Sequence, residues 1–225
     1  MLAPRKKLWS TPSSAVDVAL SFANLDSDDV VYDVGCGDGR VLIQMASLSV
    51  LPASAMVAPP DADDGAASST EPDGNNGDQN THDKEQPQCH HHTCRQFVGI
   101  EISPERADEA RNNILRARQT NRIPPHVSLD VICANALDTT AVDYKRATVI
   151  FLYLVPRGLR LIKGIVWPGG GESNEMIVST SDKRPRRIIT YMSPFENTSH
   201  VRKGYCRVDH QDGAAWPVYL YQTDM

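Results

Sequence analysis

Val30-Val31-Tyr32-Asp33-Val34-Gly35-Cys36-Gly37-Asp38-Gly39-Arg40 is the stretch whose reading decides the fold. The run 30–34 is almost continuously apolar and rich in β-branched residues, so it reads as a strand buried on both faces of a parallel sheet. Three glycines within five residues then turn the chain sharply, and 40–48 reads as an apolar helix. Strand, glycine turn and helix in that order open an α/β domain, whose ligands bind outside the carboxyl ends of the strands.

The alternation continues to either side. Thr11-Pro12 reads as the N-cap and first residue of a helix with Ala15, Val18, Ala19 and Phe22 on its apolar face. Residues 97–102 predict a second strand, and Ser103-Pro104 starts a helix with Ala107, Ala110, Ile114 and Ala117 along one side. Strands are expected at 127–133 and 148–154, then a helix over 159–166 closed by the turn Trp167-Pro168-Gly169-Gly170-Gly171. The final strand is 218–221. Its predecessor is either 176–179 or 187–192; the second is preferred, which makes 172–185 a small insertion. The expected architecture is α/β, a doubly wound sheet, mostly parallel with a C-terminal antiparallel strand.

At 225 residues the chain suits a single domain, 1–225. Residues 52–95 interrupt it. They are rich in Ala, Pro, Ser, Asp, Gly, Asn and Gln and hold almost no large aliphatic residue after Val57, so they read as a disordered low-complexity insertion. Cys89-His90-His91-His92-Thr93-Cys94 has metal-binding residue types, but no second cluster at zinc-finger spacing completes a four-ligand site, and no metal is expected.

Eight acids against Lys84 alone fall within 53–88, which leaves the rest of a chain of net charge -5 mildly basic, with clusters at 183–187 and at Arg202, Lys203 and Arg207. Five cysteines without regular spacing argue a reducing compartment without disulfides. No stretch approaches the roughly 20 apolar residues of a membrane span, and the start lacks a secretory apolar core. The basic opening 1–7 leaves an intracellular location open between cytoplasm and mitochondrion.

The glycine loop is not a P-loop, because Gly39-Arg40-Val41 replaces the required Gly-Lys-Ser/Thr. Nor does it match the dinucleotide spacing G-x-G-x-x-G; its glycines fall at 35, 37 and 39 with Asp33 and Asp38 beside them. Two carboxylates repel a pyrophosphate but suit a ligand with an ammonium and a sulfonium, as in the methionyl half of S-adenosylmethionine. Glu101, at the end of the second strand, is placed to accept two ribose hydroxyls. It stands 62 positions after Gly39, and removing the 44 residues 52–95 leaves 18, close to the roughly 20 expected of a ribose acid. Its alternative role is a surface carboxylate capping the following helix. Asn135, in Ala134-Asn135-Ala136-Leu137 after the third strand, offers an amide oxygen for an adenine amino group or for a simple turn.

These residues resemble the class I, seven-strand, S-adenosylmethionine-dependent methyltransferases, and the likeness covers nearly all of the chain outside the insertions. More narrowly, Thr11-Pro12, the loop 32–40, and Ala147-Thr148-Val149-Ile150-Phe151-Leu152-Tyr153-Leu154-Val155-Pro156 look like a small subgroup that contains mitochondrial protein-lysine methyltransferases, which modify the adenine-nucleotide carrier and the ATP synthase c subunit. The loop is also similar to that of histone-lysine methyltransferases of the seven-strand type. The resemblance implies a Rossmann-like sheet with S-adenosyl-L-methionine as cofactor. It implies that Asp33, Gly35 and Gly37 hold the methionyl end, Glu101 the ribose and Asn135 the adenine, with Leu152 to Pro156 at the transfer site; Thr11, Cys36, Gly39, Ile102, Ala136 and Leu152 are further candidates for contact with the cofactor. Asn135 stands where Asp is more usual, and the hydrophobic segment that precedes the domain in the mitochondrial members has no counterpart in this sequence.

Methyl transfer from a sulfonium is an in-line displacement, so alignment and exclusion of water matter more than acid–base groups. Tyr153 is the expected wall of the acceptor pocket, with Pro156 fixing its loop; a core position for Tyr153 is the alternative. The Asn/Asp-Pro-Pro-Tyr/Phe signature of nucleic-acid amino methyltransferases is replaced here by Leu152-Tyr153-Leu154-Val155-Pro156. A protein-lysine N-methyltransferase acting on a protein partner is therefore favoured. A methyltransferase of small molecules or nucleic acid and a catalytically silent cofactor-binding module remain in play, the basic clusters keeping nucleic acid open.

Overall fold

The computed structural model describes residues 10–48, 95–167, 185–207 and 214–223, all within one compact unit. In chain order these form α1 (Ser13–Ala23), β1 (Val30–Val34), α2 (Arg40–Leu48), β2 (Gln96–Glu101), α3 (Pro104–Gln119), β3 (Ser128–Cys133), a 3₁₀ turn (Tyr144–Arg146), β4 (Val149–Leu152), α4 (Pro156–Val166), β5 (Arg187–Tyr191), β6 (Arg202–Arg207) and β7 (Ala215–Gln222). The seven strands make one sheet in the order β3-β2-β1-β4-β5-β7-β6. The first five positions are parallel, and β7 runs antiparallel to both β5 and β6. Strand order reverses between β1 and β4, so a crevice opens at their carboxyl ends.

The central strands are buried on both faces, as their composition requires. Period-two alternation sorts their side chains: Val31, Val149 and Phe151 pack with α1, α2 and α3, whereas Tyr32, Val34, Ile150 and Leu152 pack with α4 and the 3₁₀ turn. The small residues of α3, Ala107, Ala110 and Ala117, let its backbone lie close to the sheet.

Sheet and helix types follow the sequence reading, with differences at the ends. The first helix starts at Ser13 with Pro12 as N-cap, and no side chain caps it, so Thr11 is not the cap. The fourth strand stops at Leu152 rather than 154, and α4 begins at Pro156, not 159, because proline suits the first helical position. Residues 187–191 do form a strand. The segment that forms β6 is not among the strands read from the sequence: Arg202, Lys203, Tyr205 and Arg207 are exposed at the sheet edge, where charge is tolerated and no alternating apolar pattern forms. Arg95, placed in the insertion by composition, donates to Asp26 O at 2.9 Å and Leu25 O at 3.0 Å and so belongs to the fold. The remainder of 52–95, the Cys89 to Cys94 cluster, 172–184 and 1–7 lie outside the described residues. Among the described residues no helix is long and apolar enough to cross a membrane, and no group of His, Cys, Asp and Glu is arranged to hold a metal.

At the amino ends of the central strands, Arg187 is ion-paired with Asp29 where both side chains are buried. Asp29 also accepts from Thr148 Oγ1 at 2.6 Å and from Asp26 N at 2.7 Å, while Arg187 donates to the carbonyls of Ala23 and Asn24. The pair joins the end of α1 to β1, β4 and β5. Truncating one partner leaves a buried charge, so Arg187→Ala should lower the unfolding free energy by about 3–5 kcal/mol in urea titration. A loss below about 1 kcal/mol would show that water reaches the pair.

Candidate active site

The glycine loop is built by hydrogen bonds across the first two strands. Gly35 N and Cys36 N both donate to Ile100 O, at 2.8 and 3.1 Å, and Gly39 N closes the turn onto Cys36 O at 2.9 Å. Gly35, Gly37 and Gly39 have φ of 80, 57 and 79°, a region unfavourable to other residues. At Gly39 space is also decisive: a Cβ would stand 3.1 Å from the Ala110 Cβ on α3. The loop therefore sits directly on α3.

Glu101 organises both sides of the crevice. Its Oε2 accepts from Gly37 N and its Oε1 from Ser103 N, each at 3.0 Å, with the residue 8% exposed. Ser103 in turn caps α3 by accepting from Arg106 N. Of the two roles weighed for Glu101 from sequence, a link to the start of α3 is present, through Ser103 N, but from a buried rather than a surface carboxylate; a carboxylate holding two N–H donors keeps lone pairs with which it could also accept hydroxyl groups.

Asp33 is 3% exposed, and its Oδ2 has no hydrogen-bond partner among the described residues. Burial, then the charges of Glu101 and Asp38, push its carboxyl up to about 7. A buried, underpaired carboxylate next to an open crevice is a site for a cation. Asp38 is different. It is ion-paired with Arg40 at 2.5 Å, and although burial works against ionisation, the bonds to Arg40 hold its carboxyl below the usual range. Of the two acids read as facing a cationic ligand, only Asp33 is left underpaired. The buried Cys36 thiol is pushed well up by desolvation and by the charges of Asp33 and Glu101, and so stays protonated and unreactive.

A groove of about 200 Å³ lies at the carboxyl ends of β1, β2 and β3, walled on the far side by Leu154, Gly158, Leu161 and Ile162. Of the residues singled out from sequence, it gathers Gly35, Glu101, Ile102, Asn135 and Ala136. Ile102 is 67% exposed there, an unusual position for an isoleucine unless something covers it. Asn135 Oδ1 accepts from Leu137 N at 3.0 Å, so its amide oxygen serves the turn considered for it from sequence. The apolar groove walls, a ribose-competent carboxylate and the underpaired Asp33 fit the polar and apolar parts of S-adenosyl-L-methionine.

The remaining singled-out residues do not line the groove. Gly37 and Gly39 shape the loop through Glu101 and Ala110. Leu152 is fully buried, with its side chain towards α4. Thr11 is half-buried ahead of α1, whose Ser13 is tied to α2 by Gln44. Tyr153 is half-buried and stacks on Tyr191, ring centroids 4.8 Å apart, on the α1 side of the sheet; Pro156 is exposed at the start of α4. Leu154, Gly158 and Leu161 were missed as wall residues, because their approach to the groove depends on how α4 packs.

No family model matches the chain. It is 26% identical over 153 residues to a protein-lysine N-methyltransferase of Saccharolobus islandicus, a match covering 68% of this chain and 63% of that one, so the chain spans less than two thirds of that relative's length. Among solved structures it is similar to an RNA methyltransferase from Salinibacter ruber in complex with S-adenosyl-L-homocysteine, with TM-score 0.55, 21% identity and 95% and 93% of the two chains covered. It is also similar to a magnesium protoporphyrin IX methyltransferase from Synechocystis PCC 6803, with TM-score 0.51, 11% identity and 94% and 83% covered. At these identities the likeness establishes the fold: this is the Rossmann-like, seven-stranded sheet of the methyltransferase structures.

Because the Asp33 carboxyl lies above its ordinary value in the fold, the cost of its charge is absent below about pH 4 and complete above about pH 7. Without ligand, Asp33→Asn should therefore stabilise the protein by an amount that grows between these limits, reaching on the order of 2–4 kcal/mol at about pH 8. Urea titrations of both proteins across that range check it; a gain independent of pH would mean that Asp33 is not desolvated.

Proposed function

We propose that the chain is an S-adenosylmethionine-dependent methyltransferase whose acceptor is a protein lysine. The observation that carries the cofactor reading is the buried Asp33 carboxylate, with one oxygen unpartnered among the described residues and within reach of the charge of Glu101, which lines the groove. When bound, the cofactor supplies an electrophilic methyl group on a sulfonium. Asp33 pairs with the methionyl ammonium, Glu101 receives the ribose hydroxyls, and Ile102, Ala136 and Leu137 cover the adenine. Gly35, Cys36, Gly37 and Gly39 give the close backbone approach, with Thr11 and Leu152 near the methionyl end.

The lysine reading is supported by the name of the 26% identical relative and by the run 151–156, which carries no nucleic-acid signature. Lysine must lose a proton before it attacks, at a cost of about 4.6 kcal/mol at pH 7 from a pKa near 10.4. An aromatic, poorly hydrated wall reduces this cost by disfavouring the ammonium. Tyr153 supplies such a wall, backed by Tyr191. Desolvation raises the Tyr153 phenol, so it stays neutral and acts by lining the pocket rather than as a base. Pro156, at the first position of α4, fixes the end of the segment that carries Tyr153.

Calorimetry should detect S-adenosylmethionine and S-adenosylhomocysteine but not NAD. Affinity should rise up to about tenfold per pH unit below about 7 and level off above it, as Asp33 ionises, and Asp33→Asn should flatten this profile. Tighter binding of NAD would refute the cofactor reading.

The acceptor is tested by incubating cell extract with labelled S-adenosylmethionine and the purified chain, then separating protein, RNA and small molecules. Label on protein lysine is expected by mass spectrometry, at a rate that climbs with pH, and Tyr153→Ala should lower that rate at least tenfold while changing cofactor affinity little. Label confined to RNA, metabolites or arginine would refute the lysine reading and leave the cofactor reading standing.

A further inference from the structure

We infer that Arg106 is the counter-ion for the α-carboxylate of the bound amino-acid moiety, so that Asp33 and Arg106 clamp a zwitterion across the glycine loop. The inference rests on the cofactor reading above. Arg106 occupies the first turn of α3, its N–H held by Ser103 Oγ at 3.4 Å. Its guanidinium lies flat against Gly37: a Cβ there would stand 2.7 Å from Nη2 and 3.4 Å from Cζ. A side chain at 37 would have to displace this guanidinium and adopt a φ of 57°.

The Arg106 Nε is buried with no hydrogen-bond partner among the described residues. On the same helix, Arg111 and Arg118 spend their guanidinia on Val131 O and Val127 O, at 2.9 Å each. Arg106 is instead held beside the loop with a donor unused, an arrangement that costs free energy unless an acceptor arrives. The Asp33 Oδ2 is the complementary orphan. Both charges are felt by Cys36, which lies between Gly35 and Gly37, so acid and base act on the same loop. A ligand that carries an ammonium and a carboxylate on one carbon satisfies both, whereas a ligand with the ammonium alone satisfies only Asp33. Arginine suits the task because its planar fork meets a carboxylate with two parallel donors.

Decarboxylated S-adenosylmethionine, which keeps the amine, sulfonium and nucleoside but lacks the carboxylate, tests the assignment. Wild-type protein should bind S-adenosylmethionine roughly 10- to 100-fold more tightly than the decarboxylated form by calorimetry, the span that charge-assisted bonds give. Arg106→Gln should weaken binding of the intact cofactor by that factor and leave the decarboxylated form within about twofold, erasing the preference. Arg106→Lys, which keeps the charge without the fork, should retain part of it. Equal weakening of both ligands, or an unchanged preference in either variant, would overturn the role of Arg106 while leaving the cofactor reading intact. Failure of the wild type to bind either ligand would overturn the cofactor reading and this inference together.

Discussion

Glu101 is the carboxylate on which the site depends. By accepting Gly37 N on one oxygen and Ser103 N on the other, it joins the glycine loop after β1 to the start of α3 after β2. Two segments that would otherwise expose unpaired backbone donors are thereby fixed at the mouth of the crevice. The parallel pairing of β1 and β2, which sets Val34 against Ile100, brings Glu101 into reach of the loop. Gly39 completes the frame from below, because α3 packs where a Cβ would be.

Within this frame the charges are arranged unequally. Asp38 is satisfied by Arg40 at the protein surface, while Asp33 is buried with an oxygen spare. Burying such a carboxyl costs free energy, which the apolar packing of β1 between two helix layers offsets.

The sheet also separates two surfaces. Leu152 turns its side chain towards α4, and Tyr153, one residue on, packs on the α1 side against Tyr191. The apolar groove is walled by α4, and the aromatic pair lies on the other side of β4, as the alternation of side chains along a strand requires.

The order of strands and helices was legible in the sequence because buried parallel strands are continuous apolar runs and the glycines at 35, 37 and 39 mark a turn that other residues resist. The same reading singled out Gly35, Glu101, Ile102, Asn135 and Ala136, which the fold gathers into one groove, since position at the carboxyl end of a strand follows directly from chain order. It missed β6, whose basic edge residues carry no burial pattern, and the groove wall of Leu154, Gly158 and Leu161, which exists only through the packing of α4. Two carboxylates either side of Gly35, Asp33 two residues before it and Asp38 three after it, look equivalent in one dimension; the fold decided that Asp38 meets Arg40, while Asp33 keeps an oxygen without a partner among the described residues. Local sequence determines which way a chain turns and which face it buries. Which polar atoms are left without partners depends on residues distant in sequence, and only the tertiary structure brings those together.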